Sequence, residues 1–225
     1  MESILADAFG SFNKYSGWIV WNLFLAFIPL VLSFWLFTRH TRKRRRPMAE
    51  VKKPVAQTRS LLWWIGWVIF IAFLPNAPYL LTDIIHLIEA IRAGYSIWIT
   101  TLIFIPLHLF AILVGWEAYV ISVINQSHYL KQQGARKFIF ASELMTHALS
   151  AIGVYLGRFR RFNSWDLVTQ PNIVITSTIN DLTAQKPLLV IFITFIVLTI
   201  FYWVMKQITL GTLLRVRYFV AKSKN

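Results

Sequence analysis

The sequence predicts an all-α, polytopic membrane helix bundle of about five spans. Three observations lead there. First, 57% of the residues are hydrophobic and 14% charged, whereas a soluble domain carries about 25% charged residues; too little polar material exists to coat a globule. Second, a span needs roughly 20 apolar residues to cross about 30 Å of hydrocarbon, and five stretches meet that requirement. Third, nine of the 23 Lys and Arg fall between Arg39 and Arg59, directly after the first apolar stretch, where juxtamembrane segments meet anionic lipid. The net charge of +14 therefore reads as a membrane-surface feature, with lipids and no nucleic acid as the expected partners.

In chain order, the first span covers about 17–38, "GWIVWNLFLAFIPLVLSFWLFT". It is too long for a cleavable signal, lacks a small-residue cleavage site, and is followed by Arg39 to Arg46 as a stop. Upstream, Ile4, Leu5, Ala8, Phe9 and Phe12 recur at helical spacing, as an interfacial helix requires. A basic loop, 39–60, contains two prolines and leads into the second span at about 61–81. The third span, about 97–125, is long enough to tilt or project beyond the bilayer. The fourth covers about 138–157 and the fifth about 187–205. The tail mixes Leu213, Leu214 and Phe219 with basic residues and is expected on the anionic inner surface. No repeat or soluble domain interrupts the pattern, so residues 1–225 read as one membrane domain.

Lys and Arg near span ends are retained on the cytoplasmic side. Placing the 39–60 loop inside puts most basic residues there and leaves Lys14, Arg92, Arg158, Arg160, Arg161 and Lys186 outside. The amino terminus is then outside and the carboxyl terminus inside.

Two polar clusters stand out against this background. In "FLPNAPYLLTDIIHLIEA", Pro75 and Pro78 each remove a backbone donor near the end of the second span. Such irregular backbone survives where it is buried in protein or lines a wet cavity. Asn76, Tyr79, Asp83 and His86 follow at intervals of three, four and three residues, which aligns them along one side if the helix continues past Pro78. In one reading these groups are structural: Asn76 satisfies carbonyls freed by the prolines, Tyr79 joins an aromatic belt, and Thr82-Asp83 caps a following helix. In the other they face a ligand.

The second cluster, "GVYLGRFRRFNSWDL", ends the fourth span on the same predicted outer side. Arg158, Arg160 and Arg161 run against the positive-inside trend there. Pairing of Arg158 with Asp83 is the plainer reading; binding of a phosphate or carboxylate is the sharper one, because Arg presents a forked donor set. Asn163, Ser164, Trp165 and Asp166 add further polar and aromatic groups. His108 and His147 lie near the middles of the third and fourth spans, where an ionisable group usually faces the bundle interior. Glu143, His147, Val154 and Arg158 share one side of the fourth helix. Glu117 is expected to contact Glu143 or a basic loop residue, and Glu89 and Arg92 to lie in a solvated outer loop.

Asp83, His86, His108 and His147 have suitable donor types for zinc or iron, but no HExxH or HxxxH spacing supports a site. No metal or cofactor is expected. The absence of cysteine and of GxSxG removes the commonest nucleophile arrangements.

Together "FLPNAPYLLTDIIHL" and "GVYLGRFRRFNSWDL" resemble the two signature stretches of a bacterial family of multi-span membrane proteins, the domain-of-unknown-function family 1361. The resemblance runs from the second span onward. It implies a bacterial membrane location and importance for Asn76, Pro78, Tyr79, Thr82, Asp83 and His86, then Gly157, Arg158, Arg161, Asn163, Ser164, Trp165 and Asp166. It implies no reaction. The favoured expectation is recognition, and processing if any, of an anionic lipid or lipid-linked substrate, with the arginines on the head group and Asp83 and His86 exchanging protons. Two rivals stand beside it: a small transporter using Asp83, His86, His108, His147 and Glu143 as a polar route, and a noncatalytic assembly partner whose polar groups satisfy one another.

Overall fold

The computed structural model describes residues 2–38, 59–92 and 94–223, with side chains from Gly17 onward and excepting that of Ala90. The described residues are helical, without strands. Five helices among them are long and apolar enough to cross a membrane: Gly17–Thr38, Leu61–Glu89, Ile97–Gln132, Arg136–Phe159 and Gln185–Lys222. These are the five expected spans. Most of the basic loop, including the Arg39 to Arg46 stop, lies outside the described residues, as do the side chains of Ile4 to Phe12. The backbone of that amino-terminal stretch belongs to the continuous helix Glu2–Ser33.

The third span is the centre of the bundle. Its buried side chains include His108, Ala111, Gly115, Tyr119, Ser122, Gln126 and Tyr129, separated by three or four residues throughout. That 3.5-residue average keeps one seam turned toward a partner helix, and the first span packs along it. Close approach depends on small residues. An added Cβ at Gly115 would lie 2.3 Å from Leu80 Cδ1 and 3.1 Å from the Ala77 carbonyl oxygen, so the broken part of the second span rests directly on the third.

The fifth span is fastened to the third and fourth by polar contacts. Glu143 Oε1 accepts from Ser127 Oγ (2.6 Å), Tyr202 Oη (2.9 Å) and Lys206 Nζ (2.5 Å). Glu117 accepts from Thr209 Oγ1 at 2.8 Å; its partner is a hydroxyl on the fifth span, in place of the Glu143 or loop residue expected. A carboxylate in apolar surroundings takes whichever donor the adjacent helix presents, and helix packing selects that donor.

Two departures concern element ends. The fifth helix runs unbroken to Lys222 because no proline follows Pro187 in its first turn and Gly211 alone is too weak a break. The segment after Arg161 folds into a single turn, Asp166–Thr169, and a helix, Pro171–Thr183, started by proline at its first position. Its β-branched sequence "PNIVITSTINDLT" has low helix propensity. Tertiary anchoring holds it: Arg160 bonds Asp181 through Nε (2.9 Å to Oδ2) and Nη2, a forked ion pair. Val174, in the same helix, is buried.

Candidate functional site

At Leu74 the second span loses its regular hydrogen-bond ladder. The Ala77 amide, which a continuous α-helix would aim at Phe73, bonds Leu74 instead (3.2 Å). Asn76 Nδ2 then donates to the freed Phe73 carbonyl at 2.9 Å, as the prolines demand. The same Nδ2 donates to Ser164 Oγ at 2.8 Å, joining the two sequence clusters directly. The chain continues helically past Pro78 through Asn76–Tyr79, the tighter 3₁₀ turn Leu80–Asp83 and Ile84–Arg92. Glu89 and Arg92 are thus helical, at the exposed end of that segment.

Glycines let the fourth span approach this irregular stretch. An added Cβ at Gly153 would fall 2.4 and 2.6 Å from Pro75 ring carbons, and one at Gly157 3.1 Å from the Tyr79 ring. With the helices so close, Arg158 lies over the Tyr79 ring at 4.8 Å. It donates to Thr82 Oγ1 through Nε (3.0 Å) and Nη2 (2.6 Å), and to Asp83 Oδ1 through Nη2 (2.9 Å). Thr82 donates in turn to the Tyr79 carbonyl (2.6 Å). Asn22 Nδ2 occupies Asp83 Oδ2 at 3.0 Å. Asp83 is only 2% exposed, a buried carboxylate held from both sides.

Beside this pair lies a cavity of about 610 Å³. Asn76, Tyr79, His86, Arg158, Arg161, Asn163, Ser164 and Trp165 all line it, drawn from both clusters; Trp21 and Asn22 of the first span and Glu89 complete its polar and aromatic wall. Thr82, Asp83 and Asp166 do not line it. The first two are consumed by Arg158, and Asp166 Oδ2 accepts the Asn163 amide at 2.6 Å, holding the turn that carries Asn163 to Trp165.

The three arginines have different fates. Arg158 pairs with Asp83, and Arg160 with Asp181, whose hydrogen bonds raise the guanidinium pKa above its ordinary value. Arg161 makes no hydrogen bond or ion pair with the described residues, is exposed, and lines the cavity. Its backbone is also unusual: φ is +58°, the left-handed region that normally selects glycine or asparagine at a helix end. The fourth helix stops there, with the Phe162 amide bonding back to Leu156 at 3.2 Å.

His86 forms part of the cavity wall. Its Nδ1–H donates to Glu89 Oε2 (3.1 Å), and its ring lies 4.7 Å from Trp18. Trp18 also meets His108, at 5.6 Å; His108 Nδ1–H donates to the Phe104 carbonyl (2.8 Å), leaving a buried Nε2 acceptor without a partner among the described residues. His147 sits elsewhere, against Tyr119 Oη (2.7 Å) and the Tyr202 ring (4.6 Å). The ionisable groups therefore fall into two sets, one around Trp18 and one against the fifth span. No group of three or more His, Asp or Glu side chains among the described residues has the arrangement of a metal site.

The arrangement meets a family pattern over most of its length: the model described as "Protein of unknown function (DUF1361)" matches residues 21–200. This chain belongs to the DUF1361 family. No curated protein and no solved structure matches it. For this DUF1361 protein the sequence reading missed Asn22, Trp18 and Asp181, each of which touches a cluster from a distant segment. Asn22 had a usable signal, as an amide within an otherwise apolar span usually has a partner across a helix interface.

Proposed function

We propose that this DUF1361 protein is a multi-pass protein of the bacterial cytoplasmic membrane, amino terminus outside and carboxyl terminus inside, that recognises the anionic head group of a phospholipid or lipid-linked sugar phosphate at its outer face. The observation that carries the reading is Arg161. A bulky residue in the left-handed region costs about 1–3 kcal/mol, and glycine would remove that cost, yet the arginine there has no partner among the described residues and borders a cavity. Its guanidinium supplies forked donors for phosphate. Half-exposed Trp21 and Trp165 and exposed Leu167 at the cavity suit an acyl chain entering from the lipid.

The reading commits to recognition over processing. Proton exchange between Asp83 and His86 would require an accessible carboxylate, and Asp83 is shielded by Asn22 and Arg158. The same direct ion pair favours a second reading, in which Asp83 and Arg158 serve assembly of the bundle alone.

Arg161→Gly separates recognition from packing. The variant is expected to melt at a higher temperature, since backbone strain is relieved, while binding phosphatidylglycerol about tenfold more weakly or worse, the loss of one charge-assisted contact. Thermal unfolding in detergent and native mass spectrometry with added lipid read the two effects. Higher melting with unchanged lipid binding would sink the recognition reading.

A further inference from the structure

Two opposite charges face the cavity and leave each other alone. Arg161 has no acidic partner among the described residues, and Glu89 meets only the His86 Nδ1–H, at Oε2, with no Lys or Arg paired to it among them. The other cation of the wall, Arg158, is matched by Asp83. Among the described residues the cavity thus presents one guanidinium without a partner and one carboxylate held only by His86, its Oε1 without a donor.

A purely anionic head group would satisfy Arg161 and bring its negative charge into the same cavity as Glu89, which like-charge repulsion opposes. A cation alone would meet the reverse difficulty. Only a ligand carrying both signs answers both walls. Glu89 is an acceptor, so the cationic end must donate hydrogen bonds; a primary ammonium has three N–H donors, and a quaternary ammonium has none.

We propose that the cavity between Arg161 and Glu89 takes a zwitterionic head group, a phosphate diester bearing a primary ammonium. This rests on the anion-recognition reading and narrows it. The phosphate lies at Arg161, and the ammonium at Glu89.

The full chain in detergent is titrated with phosphatidylethanolamine, phosphatidylcholine and phosphatidylglycerol of identical acyl chains, and with water-soluble glycerophosphoethanolamine, by native mass spectrometry. Phosphatidylethanolamine is expected to bind at least tenfold more tightly than the other two lipids. Glu89→Gln, at a side chain 62% exposed and so safe for folding, should abolish that preference while leaving phosphatidylglycerol binding intact or stronger. Arg161→Gln should weaken every phosphate-bearing ligand. Binding of glycerophosphoethanolamine as tight as that of the lipid would support the proposal with a soluble source; much weaker binding would support it with a membrane source.

Equal affinity for phosphatidylglycerol and phosphatidylethanolamine, or a preference that survives Glu89→Gln, overturns the zwitterion while Arg161-dependent anion binding stands. Lipid binding indifferent to Arg161→Gln overturns both.

Discussion

Asp83→Asn is expected to deplete the folded protein from the membrane and not to leave an abundant, inactive one. The substitution leaves the Arg158 guanidinium, largely buried against Tyr79 and Thr82, without its counter-charge. Removing one partner of a buried ion pair costs about 3–5 kcal/mol, because the remaining charge is stranded, whereas replacing both with apolar groups is often close to neutral. Asp83→Leu/Arg158→Met, which replaces both with apolar groups, should therefore recover much of the lost abundance and thermal stability. Membrane levels by immunoblot and melting in detergent provide the check. If Asp83→Asn accumulates to wild-type levels, the carboxylate is not a structural anchor, and a role in proton exchange becomes the better account.

Gly153→Ala should be nearly as damaging, for a steric reason. The added methyl would lie 2.4 and 2.6 Å from two carbons of the Pro75 ring, and a proline ring has no rotamer by which to withdraw. Forcing extra volume into a packed contact costs typically about 1–3 kcal/mol, and here the helices must separate just where Asn76 meets Ser164. A lower melting temperature is expected together with weaker Arg161-dependent lipid binding, since the cavity wall spans both helices. Gly211→Ala, where an added Cβ meets nothing within 4 Å, is the control and should be neutral or slightly stabilising. Equal melting of the two variants would show that the second and fourth spans do not touch at this point.

Much of the architecture was legible because apolar run length is a local property. Five runs of sufficient length gave five spans, and the basic block from Arg39 separated the first two without any structural input. Helix ends were less legible. The fifth helix continues to Lys222 because exposed Leu213, Leu214, Val216 and Phe219 supply helix-compatible apolar surface past the expected end at 205. The helix Pro171–Thr183 escaped notice since its propensity is poor and its stabilising contact, Arg160 with Asp181, lies 21 positions apart.

At the site, residue types and intervals marked Asn76, Tyr79, His86, Arg158 and Arg161, because polar groups at span ends conflict with hydrocarbon and demand a partner or a ligand. The intervals could not assign partners. Three neighbouring arginines are chemically equivalent in a one-dimensional string; in the folded chain one meets Asp83, one meets Asp181, and one turns left-handed toward open space.

The amino-acid order by itself determined that this chain is a multi-pass helical membrane protein with polar groups at two span ends, because hydropathy and helical period are read over neighbouring residues. The tertiary structure alone decided which charges are spent and which remain available. Pairing depends on distances across helices 60 to 90 residues apart in sequence, such as Asn22 with Asp83 and Asn76 with Ser164, and those distances follow from how whole helices pack, as where Gly153 and Gly157 let the fourth span meet Pro75 and Tyr79.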